Sequence, residues 1–554
     1  MAFTVADYLL NRLSQQQVDT LFGVPAAFCA ELFDAVGAHN IKPVVTASDL
    51  EAGYAADGYA RTKGLGAVAV ANGVGMLSMI NAIAGAFVER SPVVVINGGP
   101  NTRNLTNLRD FDVLFSHSTG QPDTDLAAYK LVTASAARAG KASEVPAVVD
   151  NAIATAVKNK RPVYVEINRD IWNLACPMPG GPLSVSNPAA GTEKQLATTI
   201  VGLIRGATSP LILVGTEIQR YGLADKVAEL IAKLGIRWST PLLAKSTLAE
   251  QGNGWVGVYA PPNSTPAAET AVEHADLLVT LGCVFPSSFA PLVTSGSNRI
   301  VSVYDGKVKI KGGPKQNAEI GALVAALVTE AAKAPPELVP AAVDPPAPTP
   351  AAGALTYRQV FERIGAALDN SWIVVPDTFI GISSAANLPV KGRNSFMCGA
   401  VWASIGHSVA AAVGASFGSS RRPLVICGDG GFHMTAQALS TVVRYGRNPV
   451  FVVIDNGIYA FEQFLIDDAY FSDPNAQPKP YVVLNRWDFV KFANGLGVQS
   501  AQSVNSAAAF DLALSAAKAS SAPALIVAKV NPHDLPAELS LAELPQSAPS
   551  GVRQ

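Results

Sequence analysis

Charge is scarce and balanced in this sequence. Only 15% of its 554 residues are Asp, Glu, Lys or Arg, and 41 basic against 43 acidic side chains leave a formal charge of −2. Such a surface has no electrostatic footprint for a phosphate backbone, which excludes nucleic-acid binding as a main function. Cysteine is rarer still. Cys29, Cys176, Cys283, Cys398 and Cys427 are scattered, odd in number and without a Cys-x-x-Cys pair, which argues against zinc or disulfides and for reduced core residues. Long hydrophobic runs are also missing: polar residues interrupt every apolar stretch before it reaches membrane-spanning length. Met1–Asp7 carries neither the basic nor the apolar segment of a secretory leader. A cytoplasmic enzyme without nucleic-acid or membrane partners is expected.

What the chain does have is length and alternation. It is too long for one core, and its patterns divide it into about three α/β domains. In residues 1–180 helical patterns alternate with strands at Ala67–Val70, Pro92–Ile96 and Pro162–Ile167; in 190–335 strands are expected at Pro210–Val214, Leu277–Leu281 and Arg299–Val303. Residues 332–352 turn to Ala and Pro, including Pro345-Pro346-Ala347-Pro348-Thr349-Pro350, and read as a stiff linker. A third unit spans 355–535, followed by a tail at 536–554 that is poor in apolar residues.

The third unit holds the most informative segment. Arg422–Cys427 is an apolar run ending in Gly428-Asp429-Gly430-Gly431; Met434–Tyr445 has helical length, and Pro449–Ile454 is a second run ending in Asp455-Asn456-Gly457. Two oxygen donors, Asp429 and Asn456, are thereby delivered to the carboxyl ends of neighbouring strands, where open α/β sheets bind ligands. One carboxylate, one amide and a backbone carbonyl suit magnesium, a hard octahedral cation that completes its shell with phosphate and water. The glycines let backbone approach phosphate.

This segment resembles the diphosphate-binding motif of thiamine-diphosphate (ThDP) enzymes. The resemblance implies metal ligation by Asp429, Asn456 and the main-chain oxygen of Ile458, beside Tyr459, and it places Glu462 where the pyruvate decarboxylase branch has an active-site glutamate. His433, two residues past Gly431, either touches the phosphates or packs. Glu51-Ala52-Gly53-Tyr54-Ala55-Ala56-Asp57-Gly58-Tyr59-Ala60-Arg61 resembles the family helix that begins at a glutamate and runs into A-D-G-Y-A-R, here Ala56–Arg61; the resemblance implies that Glu51 would hydrogen-bond the aminopyrimidine ring so that its amine becomes the base for the thiazolium C2 proton. Asp57 and Arg61 read as an ion pair. Trp402-Ala403-Ser404-Ile405-Gly406 is similar to the family segment W-G-S-I-G, whose aliphatic residue, here Ile405, wedges between the cofactor rings. The resemblance covers nearly the whole chain. It implies pyrimidine-binding, central and diphosphate-binding domains, each a doubly wound parallel sheet, and a homodimer or homotetramer with each site shared by two subunits.

Two proton-handling groups of the decarboxylases are absent. Gly23-Val24-Pro25-Ala26-Ala27-Phe28 has Ala27 where that family has an aspartate, and Ser116-His117 stands where it has two histidines. Glu462 and His117, with water on Ser116, remain to protonate the enamine left by decarboxylation. The leading expectation is non-oxidative decarboxylation of a 2-keto acid to an aldehyde. The alternative is carboligation of the same enamine to an acyloin or acetohydroxy acid, which Ala27 and Ser116 favour; a non-catalytic ThDP-binding protein is a third reading. Small residues at 27 and 116, with Phe461, Phe464 and Leu465 as an apolar wall, point to a medium-chain or aromatic 2-keto acid over pyruvate. No flavin or dinucleotide fingerprint is found in the middle domain.

Overall fold

In the computed structural model, which describes residues 2–183, 185, 189–252, 254–335 and 353–539, three mainly parallel sheets carry the chain. The first has strands β1 (Thr20–Gly23), β2 (Lys42–Val45), β3 (Gly66–Ala71), β4 (Val93–Gly99), β5 (Ala136–Ala139) and β6 (Val163–Asn168) in the order β2-β1-β3-β4-β6-β5, all parallel. The second contains β7 (Pro210–Val214), β8 (Arg237–Pro241), β9 (Trp255–Tyr259), β10 (Leu277–Leu281), β11 (Ile300–Tyr304), β12 (Lys307–Ile310) and β13 (Lys315–Asn317), ordered β13-β12-β11-β10-β7-β8-β9, with β12 antiparallel to both of its neighbours and every other pair parallel. The third runs β14-β15-β16-β18-β17, from β14 (Trp372–Pro376), β15 (Arg422–Gly428), β16 (Val450–Asp455), β17 (Ser500–Val504) and β18 (Ala524–Lys529), all parallel. Central strands such as β3, β4, β10 and β16 are buried along their whole length, as sheets covered by helices on both faces require.

By compactness the chain forms two units. One comprises Met1–Asn187, Ala410–Ser420 and Ser440–Arg447 and contains the first sheet; the other comprises Pro188–Val409, Arg421–Leu439 and Asn448–Gln554 and contains the other two. The segment 336–352, including the Pro-rich stretch, and residues 540–554 lie outside the described residues. The beginning of the expected tail is docked: Leu539 is buried and Glu538 accepts hydrogen bonds from Ser384 (2.6 Å) and Asn387 (3.1 Å), just after His533, which stacks on Tyr470 at 4.1 Å. Side-chain contacts fix this stretch where composition alone reads as a tail.

In the first unit, the helix Asp49–Lys63 is buried continuously from Glu51 to Arg61. It lies against Ala410–Ser420 so closely that a Cβ on Gly58 would come 2.1 Å from the Ala411 carbonyl oxygen, and one on Gly414 1.8 Å from that of Ala55. Arg61 pairs with Asp57 (3.0 Å) and Glu89 (2.7 Å), and all three side chains are almost fully buried. The expected Asp57–Arg61 pair is therefore part of a buried triad. The five cysteines are free and buried, and among the described residues no helix is long and apolar enough to cross a membrane.

Removing the cation from this triad strands two carboxylates in the interior, which costs about 3–5 kcal/mol. Arg61→Met is expected to lower the free energy of unfolding in urea by that amount at pH 7; a loss under about 1 kcal/mol would show that the carboxylates reach solvent.

Candidate active site

The topology of the first sheet reverses between β1 and β3, and its functional loops follow the carboxyl ends of its strands, the usual ligand position in such sheets. After β2 the chain passes to Ser48, in extended conformation at the helix N-cap, whose hydroxyl accepts the Glu51 N–H at 3.2 Å. The Glu51 side chain turns inward and is fully buried. Its Oε2 accepts the Ala47 N–H at 2.9 Å, while Oε1 is buried with no hydrogen-bond partner among the described residues. Burial pushes its pKa up to about 7, against hydrogen bonds from Thr441 and the backbone of Ala47 and Ser48 that hold it down.

Ser116 and His117 are exposed on the same unit. His117 has φ +71°, its ring lies 5.4 Å from that of Phe28, and its carbonyl packs where a Cβ on Gly73 would meet it at 2.2 Å. Gly73 N–H is held by the buried Asp125 carboxylate at 2.7 Å. The segments carrying Ala27 and His117 thus meet through Phe28.

In the second unit β15 and β16 are parallel neighbours and present Asp429 and Asn456 side by side. Asp429 Oδ2 accepts Gly457 N–H at 2.6 Å and Oδ1 accepts Gly430 N–H at 3.0 Å; Asn456 Oδ1 accepts Ile458 N–H at 3.1 Å and its Nδ2 donates to the Tyr357 hydroxyl at 3.2 Å. The Ile458 carbonyl accepts Ala460 N–H at 2.9 Å and keeps a second lone pair. Burial raises the Asp429 pKa and neighbouring Asp455 adds to the rise, opposed by the N–H groups of Gly457 and Gly430. Asp455 is neutralised by Arg486 at 2.8 Å and by Lys529, a pair of cations that sequence reading missed.

Some sequence expectations change here. Met434–Tyr445 is not one helix: a first helix begins at Asp429 and ends at Thr435, and a second spans Ala438–Arg444. Gly430 and Gly431 answer to the protein's own packing, since Cβ atoms there would strike the Tyr459 ring at 2.3 Å and Asp377 Oδ2 at 2.4 Å; at Gly428 a Cβ would make only ordinary contacts. His433 packs, 4.3 Å from Trp487 and 5.3 Å from Phe489, and burial lowers its pKa. Phe461 and Phe464 pack against the core of the third sheet, so of the expected wall only Leu465 is exposed, beside exposed Glu462. Ser404 and Ile405 are half-buried in the loop Gly399–Gly406, in which Ala403 has φ +57° and Gly406 φ +84°. Two residues not singled out from sequence, Asp377 and Thr378, hold that loop: Asp377 Oδ2 accepts Gly406 N–H at 2.8 Å and Thr378 Oγ1 donates to the Gly399 carbonyl at 3.2 Å.

The residues fit ThDP. Glu51 offers a buried carboxyl oxygen lacking a partner among the described residues, as a ring nitrogen requires, and Asp429, Asn456 and Ile458 present oxygens from adjacent strand ends.

Three family models of the thiamine pyrophosphate enzymes match: the N-terminal TPP binding domain over residues 3–127, the central domain over 197–328 and the C-terminal TPP binding domain over 380–528. An alpha-keto-acid decarboxylase of Mycolicibacterium paratuberculosis is 30% identical over 512 residues, covering 90% of this chain and 88% of the relative. One from Mycobacterium tuberculosis (strain H37Rv) is 29% identical over 510 residues, with the same coverage. In fold the chain is similar to a crystal structure from Mycobacterium smegmatis assigned as a thiamin diphosphate-dependent enzyme, with TM-score 0.73 at 20% identity over 95% of this chain and 99% of that one.

A carboxyl whose pKa rises from 4.5 to about 7 on folding favours the folded state fully below pH 4.5 and loses that contribution as pH climbs through 7. ThDP-free Glu51→Gln should therefore match the wild type near pH 4.5 and be more stable above pH 7, by up to about 3 kcal/mol. Denaturation across this range checks it, and a pH-independent difference would mean that Glu51 is solvated and charged throughout.

Proposed function

The chain belongs to the thiamine-diphosphate-dependent 2-keto acid decarboxylase family, and from that premise we propose that it decarboxylates a medium-chain or aromatic 2-keto acid to the aldehyde with ThDP and Mg2+. The observation that carries this reading is Glu51 Oε1, a fully buried carboxyl oxygen with no hydrogen-bond partner among the described residues, on the helix whose sequence resembles the family's. Bound ThDP supplies the electron sink that lets carbon dioxide leave. Glu51 holds a proton at Oε1 for the pyrimidine ring. Asp429, Asn456 and the Ile458 carbonyl hold the magnesium; Gly428, Gly430, Gly431, Ser404, His433 and Tyr459 shape the cofactor site, and Ile405 supports the bend between its rings. Glu462 and His117, with water at Ser116, return a proton to the substrate carbon. Three domains, near 1–180, 190–335 and 355–535, divide the work.

Small, exposed residues at Ala27 and Ser116 leave room for a long side chain, with the ring of Phe28 beside them as apolar surface. The exposed Val74, Leu77, Phe111, Val113 and Leu114 of the first unit are an apolar surface for a second copy of the chain, whose partner half completes each site in a homodimer or homotetramer. A second reading rests on the same two small residues. With no acid at position 27 and no histidine at 116, protonation is slowed, and the product becomes a hydroxy ketone through attack on a second carbonyl.

Purified protein incubated with ThDP, Mg2+ and aliphatic or aromatic 2-keto acids, with and without added aldehyde, is expected to release aldehyde equal to the carbon dioxide formed, faster from phenylpyruvate than from pyruvate. Hydroxy ketone in its place establishes the second reading, and no carbon dioxide from any acid refutes both. Glu51→Gln should lower kcat by about 10²–10⁴-fold while the protein still binds ThDP, and chelating the metal should abolish turnover.

A further inference from the structure

The loop that carries Ile405 runs from Gly399 to Gly406 without helix or strand, and both of its ends are tied to one point. Phe396 bridges onto Val374 of β14, and β14 ends at Pro376, so the next two residues emerge beneath the loop. Thr378 Oγ1 donates to the Gly399 carbonyl at 3.2 Å and Asp377 Oδ2 accepts the Gly406 N–H at 2.8 Å. From the opposite side Thr435 Oγ1, at the end of the helix that starts with Asp429, donates to the Gly406 carbonyl at 2.6 Å. Gly406 is thus held at both of its backbone polar groups.

Gly406 has φ +84°, and a Cβ there would come 2.6 Å from that of Met434. Gly431 admits Asp377, whose Oδ2 would lie 2.4 Å from any Cβ at that position. The Asp377 carboxyl is 1% exposed. Burial pushes its pKa up to about 6, while the Gly406 N–H and nearby His407 hold it down. Inside the loop Ala403 sits at φ +57°, a left-handed conformation disfavoured for alanine that persists only when its surroundings impose it.

We propose that Asp377 and Thr378 are positioning residues that clamp the two ends of the loop Gly399–Gly406, so that Ile405 is held where it forces the two rings of the cofactor together. This rests on the ThDP reading above. The clamp acts through an acceptor oxygen at 377 and a hydroxyl at 378, not through charge, and neither residue touches the reacting carbon.

The test uses ThDP–Mg2+ holoenzyme without any 2-keto acid. Exchange of the ThDP C2 proton with deuterium, read by acid quench and NMR, reports ring approach; ThDP affinity, read by calorimetry, reports whether the cofactor site is otherwise intact. Asp377→Ala is expected to slow exchange about 10- to 100-fold, the scale of an ångström-sized misplacement, with affinity changed less than about tenfold, roughly 1.4 kcal/mol. Asp377→Asn keeps an acceptor oxygen and should restore exchange to within about threefold of wild type, well inside the loss expected for misplacement. Should Asp377→Ala not fold, Thr378→Val tests the other end of the clamp and should slow exchange in the same way. Wild-type exchange in Asp377→Ala or Thr378→Val overturns the proposal, as does equal loss of affinity and exchange, or an Asp377→Asn as slow as the alanine variant. Wild-type protein that binds no ThDP, or binds it without accelerating exchange over free ThDP, instead overturns the cofactor reading and the clamp with it.

Discussion

A carboxyl group removed from water and left with half its hydrogen-bonding capacity unmet is costly, and Glu51 is such a group. The rest of the first unit keeps it there. The Asp49–Lys63 helix is pressed against Ala410–Ser420 through Gly58 and Gly414, its far end is locked by the Arg61 triad, and its first turn is set by the Ser48 cap. The same burial lifts the Glu51 pKa towards neutrality, which is where a group that must both hold and release a proton works best.

The third sheet solves a different problem with similar means. Asp429 and Asp455 stand at the ends of adjacent strands, and their mutual repulsion is relieved by backbone N–H groups on Asp429 and by Arg486 and Lys529 on Asp455. Among the described residues no side-chain cation pairs with Asp429, and a divalent cation would favour its ionised form. Gly430 and Gly431 bring Tyr459 and Asp377 against this turn, so the turn with the metal-type oxygens and the loop with Ile405 share one packed support.

Strands with unbroken apolar runs were legible to the residue: Pro210–Val214 and Leu277–Leu281 stand where their sequences put them. Short or polar strands such as Thr20–Gly23, Lys42–Val45 and Ser500–Val504 were not, because parallel neighbours and not their own pattern make them strands. Phe461, Phe464 and Leu465 sit at i, i+3 and i+4, a spacing that marks a core-facing stripe, and the core takes both phenylalanines. Asp377 carried the same signal as Asp429, an acid just past a buried apolar strand, but no Gly-rich turn followed to draw attention to it. The orphan oxygen of Glu51 had no sequence signal at all, since burial of one carboxyl atom is decided by residues as distant as Thr441.

The central claim is that this buried carboxyl exists to meet a cofactor. A crystal structure of the chain with ThDP and Mg2+ tests it most directly. The account predicts a pyrimidine ring nitrogen within about 2.6–3.2 Å of Glu51 Oε1, with Asp429 and Asn456 on the metal. A bound cofactor whose pyrimidine leaves Oε1 without a partner, or a metal ligated elsewhere, would contradict it.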